Sequence, residues 1–294
     1  MSARLLEGRS LAKEIESQVA DEVRCLRESG TVPCLAVVVV GDDPASAVYV
    51  GGKEKACRRV GVESRTVSLP AAASQDDLTS VIRQLNRDSG VCGILVQLPL
   101  PQSLDPISAA CEIDPAKDVD GLAPENLGRL LLGFPYTVPC TPAGIVELLD
   151  RSSISVEGAN VTILGRSNIV GKPLAAMLMQ KAKKRNATVT VCHSGTRDVA
   201  QFTRNADLVV TAMGSPRYLK ADMVRAGCVV IDVGINRVPD PASAKGYKLV
   251  GDSDFESLLD KVGGITPVPG GVGPLTVAML LKNTVKVARA IKCR

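Results

Sequence analysis

A two-domain α/β fold is predicted by three observations. Short aliphatic runs alternate along the chain with stretches whose apolar residues recur at helical spacing, the rhythm of a mostly parallel sheet covered by helices. The 294 residues contain no Trp and only three Phe, as suits strands buried on both faces and built from Val, Ile, Leu and Ala. The rhythm lapses between Asp114 and Pro142 and then resumes, and a chain of this length holds two domains of ordinary size.

In order, residues 10–29 carry apolar positions at helical spacing, with Gly30 as the stop. Leu35–Val40 (LAVVVV) is a buried strand, Gly41-Asp42-Asp43-Pro44 the turn after it, and a helix runs on through YVGGKEKA into CRRVGV. Thr66–Pro70 reads as a second strand, Gln75–Asn86 as a helix, and Gly93–Pro101 (GILVQLPLP) as a third strand entering a proline-rich exit. From Asp114 to Pro142 prolines and turn residues leave room only for short helical pieces, which predicts a functional loop and a domain crossing. A helix follows over Ala143–Asp150.

The second α/β unit begins at Asn160–Gly165 (NVTILG). Its further strands are Thr188–Ser194, Asp207–Gly214 and Cys228–Gly234, with a helix around Lys220–Ala226. After an insert come GGITPVPGGVGPLT and an amphipathic C-terminal helix, VAMLLKNTVKVARAIK. The domains are accordingly drawn at 1–142, completed by 276–294, and at 143–275.

Composition removes several classes of function. The formal charge of +4 is dispersed, and its one cluster, Lys181–Arg185, is predicted to end a helix, where cations meet the negative end of the dipole. No aromatic residue is interleaved with it, so a nucleic-acid partner is not expected. Nine scattered cysteines form neither a CxxC pair nor a zinc set, which predicts no metal centre and reduced thiols. The N-terminus lacks an apolar signal core, and no run is long enough to span a bilayer. A soluble, cytoplasmic chain without a membrane partner is expected.

Three stretches point to chemistry. In YVGGKEKA, Tyr49 and Lys53 share one helix face, yet Gly51 and Gly52 lie between them at about 1 kcal/mol each relative to alanine. PGGVGP, with three glycines between two prolines, predicts a defined loop of close approach. NVTILGRSNIVGKP runs from strand to helix with Gly165, Ser167 and Gly171 in the places of a Rossmann-like phosphate turn, where helix N-terminal amides meet a pyrophosphate. A NAD enzyme presents a carboxylate at the end of the next strand, but here that end reads Cys192-His193-Ser194, with no acid before Asp198. Arg166 and Arg197 are placed to pair with a 2′-phosphate, which favours NADP, although Arg197 reads equally well as a solvated loop cation. His193, the only histidine, is read as structural.

YVGGK with the trailing EKA, VQLPLP, KDVDG, GRSNIVGKP, CHSGT and ITPVPGGVGPLT occur in that order over nearly the whole chain. Together they closely resemble the bifunctional methylenetetrahydrofolate dehydrogenase/methenyltetrahydrofolate cyclohydrolase family. The resemblance implies a homodimer of two-domain protomers with a substrate cleft between the domains, and a C-terminal helix that returns to the first. It implies oxidation of 5,10-methylene-tetrahydrofolate with NADP and hydrolysis of the methenyl product to 10-formyl-tetrahydrofolate. Carried over, Tyr49 stacks on the folate rings, Lys53 serves the hydrolytic step, Gln97 supports it, and Asp120 holds the pterin. Val50, Gly51, Gly52, Leu98 and Pro99 join them around the substrate, and Pro269, Gly270, Gly271, Val272 and Gly273 form a loop closing over it. Gly165, Arg166, Ser167, Ser194, Arg197, Gly214, Ile235 and Thr276 fall to the cofactor. The one departure is Ser253 in GDSDF, where the family more often has Val, expected to be remote from the chemistry.

Hydride removal from a carbon flanked by two nitrogens needs no strong base, whereas hydrolysis needs proton transfers, for which Lys53 is the candidate. A base role requires its pKa to fall from about 10.4; otherwise it acts as an ammonium, and the sequence leaves both open. The sequence also admits two rivals: a dehydrogenase of another small substrate, and a non-catalytic NADP-binding module.

Overall fold

The structure, a computed structural model, describes residues 2–243 and 246–292, with the side chains at 44–47 and 292 left aside. Along the chain run β1 (Arg4–Leu5), α1 (Gly8–Glu28), β2 (Cys34–Val40), α2 (Pro44–Val60), β3 (Glu63–Leu69), α3 (Gln75–Arg87) and β4 (Gly93–Val96). Then come α4 (Pro106–Glu112), α5 (Pro124–Leu131), α6 (Cys140–Arg151), β5 (Asn160–Leu164), α7 (Gly171–Leu178), β6 (Thr188–Cys192), α8 (Val199–Thr203) and β7 (Leu208–Thr211). The chain closes with β8 (Val229–Asp232), β9 (Asn236–Pro239), β10 (Tyr247–Val250), α9 (Phe255–Leu258), β11 (Gly264–Ile265) and α10 (Val272–Lys292). Two compact units emerge, one of Lys13–Cys140 with the described chain from Val277, the other of Thr141–Thr276 with the described residues up to Ala12.

In the first unit β2 is the middle of a three-stranded parallel sheet ordered β3-β2-β4. Its run CLAVVVV is buried almost throughout because both faces are covered, which is why it does not alternate. One core gathers Ala36, Val38 and Ile94 from the sheet with Leu78 and Ile82 from α3. That helix starts at a capping box, Ser74 and Asp77 satisfying each other's backbone N–H. The C-terminal helix α10 belongs here too: Asn283 donates to the carbonyls of Val119 and Val138, and Arg289 pairs with Glu22.

The second unit is built on a six-stranded sheet ordered β1-β11-β8-β7-β5-β6, all parallel. Its fully buried strands, β5 after its first residue and β7 throughout, are the aliphatic runs read from the sequence. The α/β class, the parallel sheets and the return of the last helix all hold.

Several boundaries differ from expectation, each for a local reason. The strand at Gly93 stops at Val96: Gln97 N–H still reaches the Val38 carbonyl, but Pro99 and Pro101 beyond it have no N–H to give. The helix expected around Lys220–Ala226 is only a 3₁₀ turn, Ala221–Met223, because Val224 turns to extended backbone and buries its side chain in the core. The insert after Gly234 folds as an antiparallel hairpin of β9 and β10. Lys181–Arg185 does not end α7, which stops at Leu178 with Met179 as its cap; the cluster forms the turns beyond, and Arg185 pairs with Asp150 at 2.8 Å. The glycine loop ends at Gly271, since Val272 and Gly273 already belong to α10.

Candidate active site and dinucleotide turn

Helix α2 carries Tyr49, Lys53 and Cys57 on one stripe, with Tyr49 exposed, Lys53 partly buried and Cys57 fully buried. Gly51 and Gly52 lie beside that stripe, and a Cβ added to either meets nothing within 4 Å. Close helix packing therefore does not explain them. Opposite Lys53 is Gln97, just past the end of β4 and 8% exposed. Its Nε2 donates to the Leu98 carbonyl at 2.6 Å, which leaves Oε1 to accept from Lys53 Nζ at 2.9 Å. The sheet thus fixes Gln97, and Gln97 fixes the amine.

Asp120 arrives on the KDVDG segment, which runs alongside β4: Ile94 N–H donates to the Lys117 carbonyl, and Ile94 bridges Asp118. Lys117 and Asp118 are buried pegs. The Lys117 ammonium donates to the carbonyls of Leu85 and Asp88, and the Asp118 carboxylate accepts from Gly121 N, Ala123 N and Asn126 Nδ2. Asp120 is left to face Lys53 and the Cys140 thiol.

Burial holds the Lys53 amine below the ordinary lysine range, against the opposing pull of Asp120. Burial also raises the Asp120 carboxyl, with Lys53 pulling it back down. Cys140, raised strongly by burial and then by Asp120, stays a thiol. Taking both groups out of water brings their proton affinities toward each other. Cys140, Asp118 and Asn283 were not foreseen as site residues. Asp118 lies within the KDVDG motif, whereas Asn283 lies far along the chain from the turn it bonds.

The dinucleotide turn is built from backbone. Gly165 sits at φ 125°, where an added Cβ would lie 2.2 Å from the Ala212 carbonyl oxygen. A Cβ on Gly171 would lie 2.0 Å from the Gly165 oxygen. Neither position admits a side chain. Ser167 Oγ accepts from Val170 N–H at 3.1 Å, closing the turn ahead of α7. Arg166 and Arg197 are exposed and have no ion-pair partner among the described residues.

Beyond β6, His193 Nδ1 accepts from Gly195 N–H, and Thr196 Oγ1 accepts from His193 N–H, so the histidine shapes its own turn. Asp198 caps α8 through Gln201 N–H instead of standing at the strand end. A cavity of about 220 Å³ lies here, lined by Leu164, His193, Ser194, Thr196, Met213 and Tyr218 among others. Gly214 N–H and Met213 N–H both donate to buried Asp252, Ile235 is 45% exposed, and Thr276 bonds Thr141 at 3.0 Å. In GDSDF, Asp252 braces the turn bearing Gly214, and Ser253 Oγ sits 3.1 Å from Thr211 Oγ1 on β7. In the PGGVG stretch, Gly8 N–H donates to the Gly270 carbonyl and Gly271 N–H to that of Pro267.

Two family models match this chain: the catalytic domain of tetrahydrofolate dehydrogenase/cyclohydrolase over residues 6–120, and the NAD(P)-binding domain of the same family over residues 139–292. The chain belongs to this family. It is 52% identical over 287 residues to the bifunctional protein FolD of Salinibacter ruber, covering 98% of this chain and 96% of that one. Among solved structures it resembles the bifunctional FolD methylenetetrahydrofolate dehydrogenase/cyclohydrolase of Campylobacter jejuni, with a TM-score of 0.93 and 45% identity, covering 98% of this chain and 99% of that one. It also resembles the Trypanosoma brucei FolD complexed with NADP cofactor and inhibitor, with a TM-score of 0.93 and 40% identity over 99% and 98% of the two chains. The residues expected to serve folate and cofactor lie in both matched ranges, Lys53, Gln97 and Asp120 in the first and the Gly165 turn in the second. Among the described residues there is no group of His, Cys, Asp and Glu able to hold a metal ion, and no helix long and apolar enough to cross a membrane.

Proposed function

We propose that this chain oxidises 5,10-methylene-tetrahydrofolate to the methenyl form with NADP and hydrolyses that product to 10-formyl-tetrahydrofolate. The observation that carries the reading is the Lys53–Gln97 contact of 2.9 Å, with Asp120 at the same amine. A binding module has no use for a lysine held out of water beside a carboxylate.

The residues at the turn fit a dinucleotide, because Gly165 and Gly171 let a tight turn pack against neighbouring backbone at the start of α7, where helix N-terminal amides can meet a pyrophosphate. NADP, when bound, supplies the hydride-accepting ring, for which no side chain substitutes. Gly165 and Ser167 would hold its phosphates, Arg166 and Arg197 its 2′-phosphate, and Ser194, Gly214, Ile235 and Thr276 its remaining edges.

On the folate side, the exposed ring of Tyr49 offers a stacking face, and Val50, Gly51, Gly52, Leu98 and Pro99 would complete the surround of the substrate. The Asp120 carboxylate accepts from the N–H groups on one pterin edge. Gln97 aims Lys53. With its pKa lowered by burial, Lys53 takes a proton from the attacking water and returns it to the departing nitrogen. Pro269–Gly273 would lie over the substrate. The division of labour is proposed along the same lines, folate chemistry on 1–142 with 276–294 and the dinucleotide on 143–275. A homodimer in the cytoplasm completes the reading; eight described cysteines, all free, fit a reducing compartment, and the ninth, Cys293, lies outside the described residues.

Absorbance assays of methylene-tetrahydrofolate oxidation with NADP and with NAD, and of methenyl hydrolysis, test the reading. Both activities are expected, the oxidation favouring NADP. Binding of NADP without turnover of either folate would overturn it.

A further inference from the structure

The segment bearing Asp120 is held from several sides, and one hold comes from the last helix of the chain. Asn283 on α10 is 5% exposed, and its Nδ2 donates to the Val119 carbonyl at 2.9 Å and to the Val138 carbonyl at 3.0 Å. An amide has two N–H donors, so both are spent, each on a different segment of chain. One carbonyl belongs to the residue before Asp120; the other lies just ahead of Cys140, whose sulfur is 3.7 Å from the same nitrogen. On the far side of Asp120, Gly121 sits at φ 71°, flat against the Val138–Pro139 backbone, where an added Cβ would come 2.4 Å from the Val138 carbonyl carbon. Asp118 ties down the N–H of Gly121 and of Ala123 from beneath.

The peptide groups on both sides of Asp120 are thus fixed, and only its side chain remains to meet a ligand. We propose that Asn283 is a positioning residue for Asp120: by locking the Val119 and Val138 carbonyls together it sets where the carboxylate stands relative to Lys53 and the pterin edge. The C-terminal helix then contributes to folate chemistry through a neutral side chain. This inference rests on the role proposed for Asp120 above.

A buried amide between two carbonyls stabilises a fold whether or not a ligand lies nearby, so loss of activity in one variant does not decide the matter. Coupling to Asp120 does. In the full-length protein, Asn283→Ala, Asp120→Asn and the double variant form a cycle, read by cyclohydrolase kcat and KM and by binding of 5-formyl-tetrahydrofolate, which allows comparison where turnover is too slow to follow. Asn283→Ala is expected to lower kcat/KM by about 10- to 100-fold, the scale of a misplacement near 1 Å. In the Asp120→Asn background the same change is expected to cost less than about 2-fold. NADP affinity, a property of the other unit, stays put. Asn283→Ser, which keeps one donor, falls between and serves the same cycle if Asn283→Ala does not fold.

An equal fold-loss in both backgrounds would make Asn283 purely structural and overturn the proposal. So would wild-type activity in Asn283→Ala. Wild-type activity in Asp120→Asn would instead remove the premise, and the assigned role of Asp120 would fall with it.

Discussion

Around Lys53 the polar groups that converge are side chains drawn out of water, whereas at the Gly165 turn they are backbone amides flanked by exposed arginines. The two regions answer different demands. Proton transfer needs groups whose affinity for a proton has been moved, and only a side chain that can be buried and given a charged neighbour offers that. Phosphate binding needs many donors at close range and no proton exchange, which a glycine turn at a helix start provides without charge. One region should therefore fail through chemistry, the other through shape.

The largest break in that comparison is expected at Lys53. Lys53→Met is predicted to reduce hydrolysis of the methenyl substrate by about 10²- to 10⁴-fold, the usual range for loss of a general base. Oxidation of the methylene substrate should retain most of its rate, since it needs orientation instead of a base. Parallel loss of both activities would show that Lys53 mainly holds the substrate. The pH profile sharpens the point. Burial lowers the Lys53 pKa, so as pH rises the folded enzyme sheds this proton before a free lysine would, at about 10.4. Hydrolysis should climb with pH along a limb centred below that value, and the limb should vanish in Lys53→Met. A flat profile would mean that Lys53 acts as an ammonium.

The turn should break by a different route. Gly171→Ala sets a methyl group about where the Gly165 carbonyl stands, and something must move. Destabilisation of about 2–4 kcal/mol is expected from overpacking against backbone, with NADP affinity falling along with it. Denaturant unfolding and NADP titration measure the two effects. Folate binding should be spared, because Lys53, Gln97 and Asp120 lie in the other unit. Arg166→Ala is milder: the side chain is exposed and has no ion-pair partner among the described residues, so stability should not change. Loss of a charge-assisted contact predicts NADP affinity lower by about 10- to 100-fold, with NAD little affected. Equal weakening of both would move the 2′-phosphate away from Arg166.

The contrast also explains what the sequence disclosed. Buried strands and the Gly165 turn are local, since a run such as CLAVVVV or a strand-turn-helix with spaced glycines carries its own reason for folding. The pairing of Lys53 with Gln97 joins α2 to the end of β4, and the ordered motifs of the family brought those residues together before any coordinates did. Asp118 and Asn283 were not singled out, because an aspartate before Val-Asp-Gly or an asparagine in an amphipathic helix looks ordinary until its partners are known. The hairpin of β9 and β10 and the two-residue strand β1 were missed for a related reason: pairs this short are stabilised by what they pack against, and their own sequence carries little of the signal.

The smallest predicted effect concerns the glycines of the other region. Gly51 and Gly52 interrupt a helix, as Gly171 begins one, but a Cβ at either meets nothing within 4 Å. If the protein alone determined the choice of residue, Gly51→Ala and Gly52→Ala would each stabilise it by about 0.5–1 kcal/mol, by restoring helix propensity and restricting the unfolded chain. That gain is the expected result in thermal or denaturant unfolding. The open space beside Tyr49 and Lys53 is also where the folate is proposed to lie, so the same variants carry a second reading. An unchanged KM for methylene-tetrahydrofolate would mean that the added methyl groups clear the ligand. A raised KM alongside raised stability would show that these glycines serve the substrate at the expense of the helix.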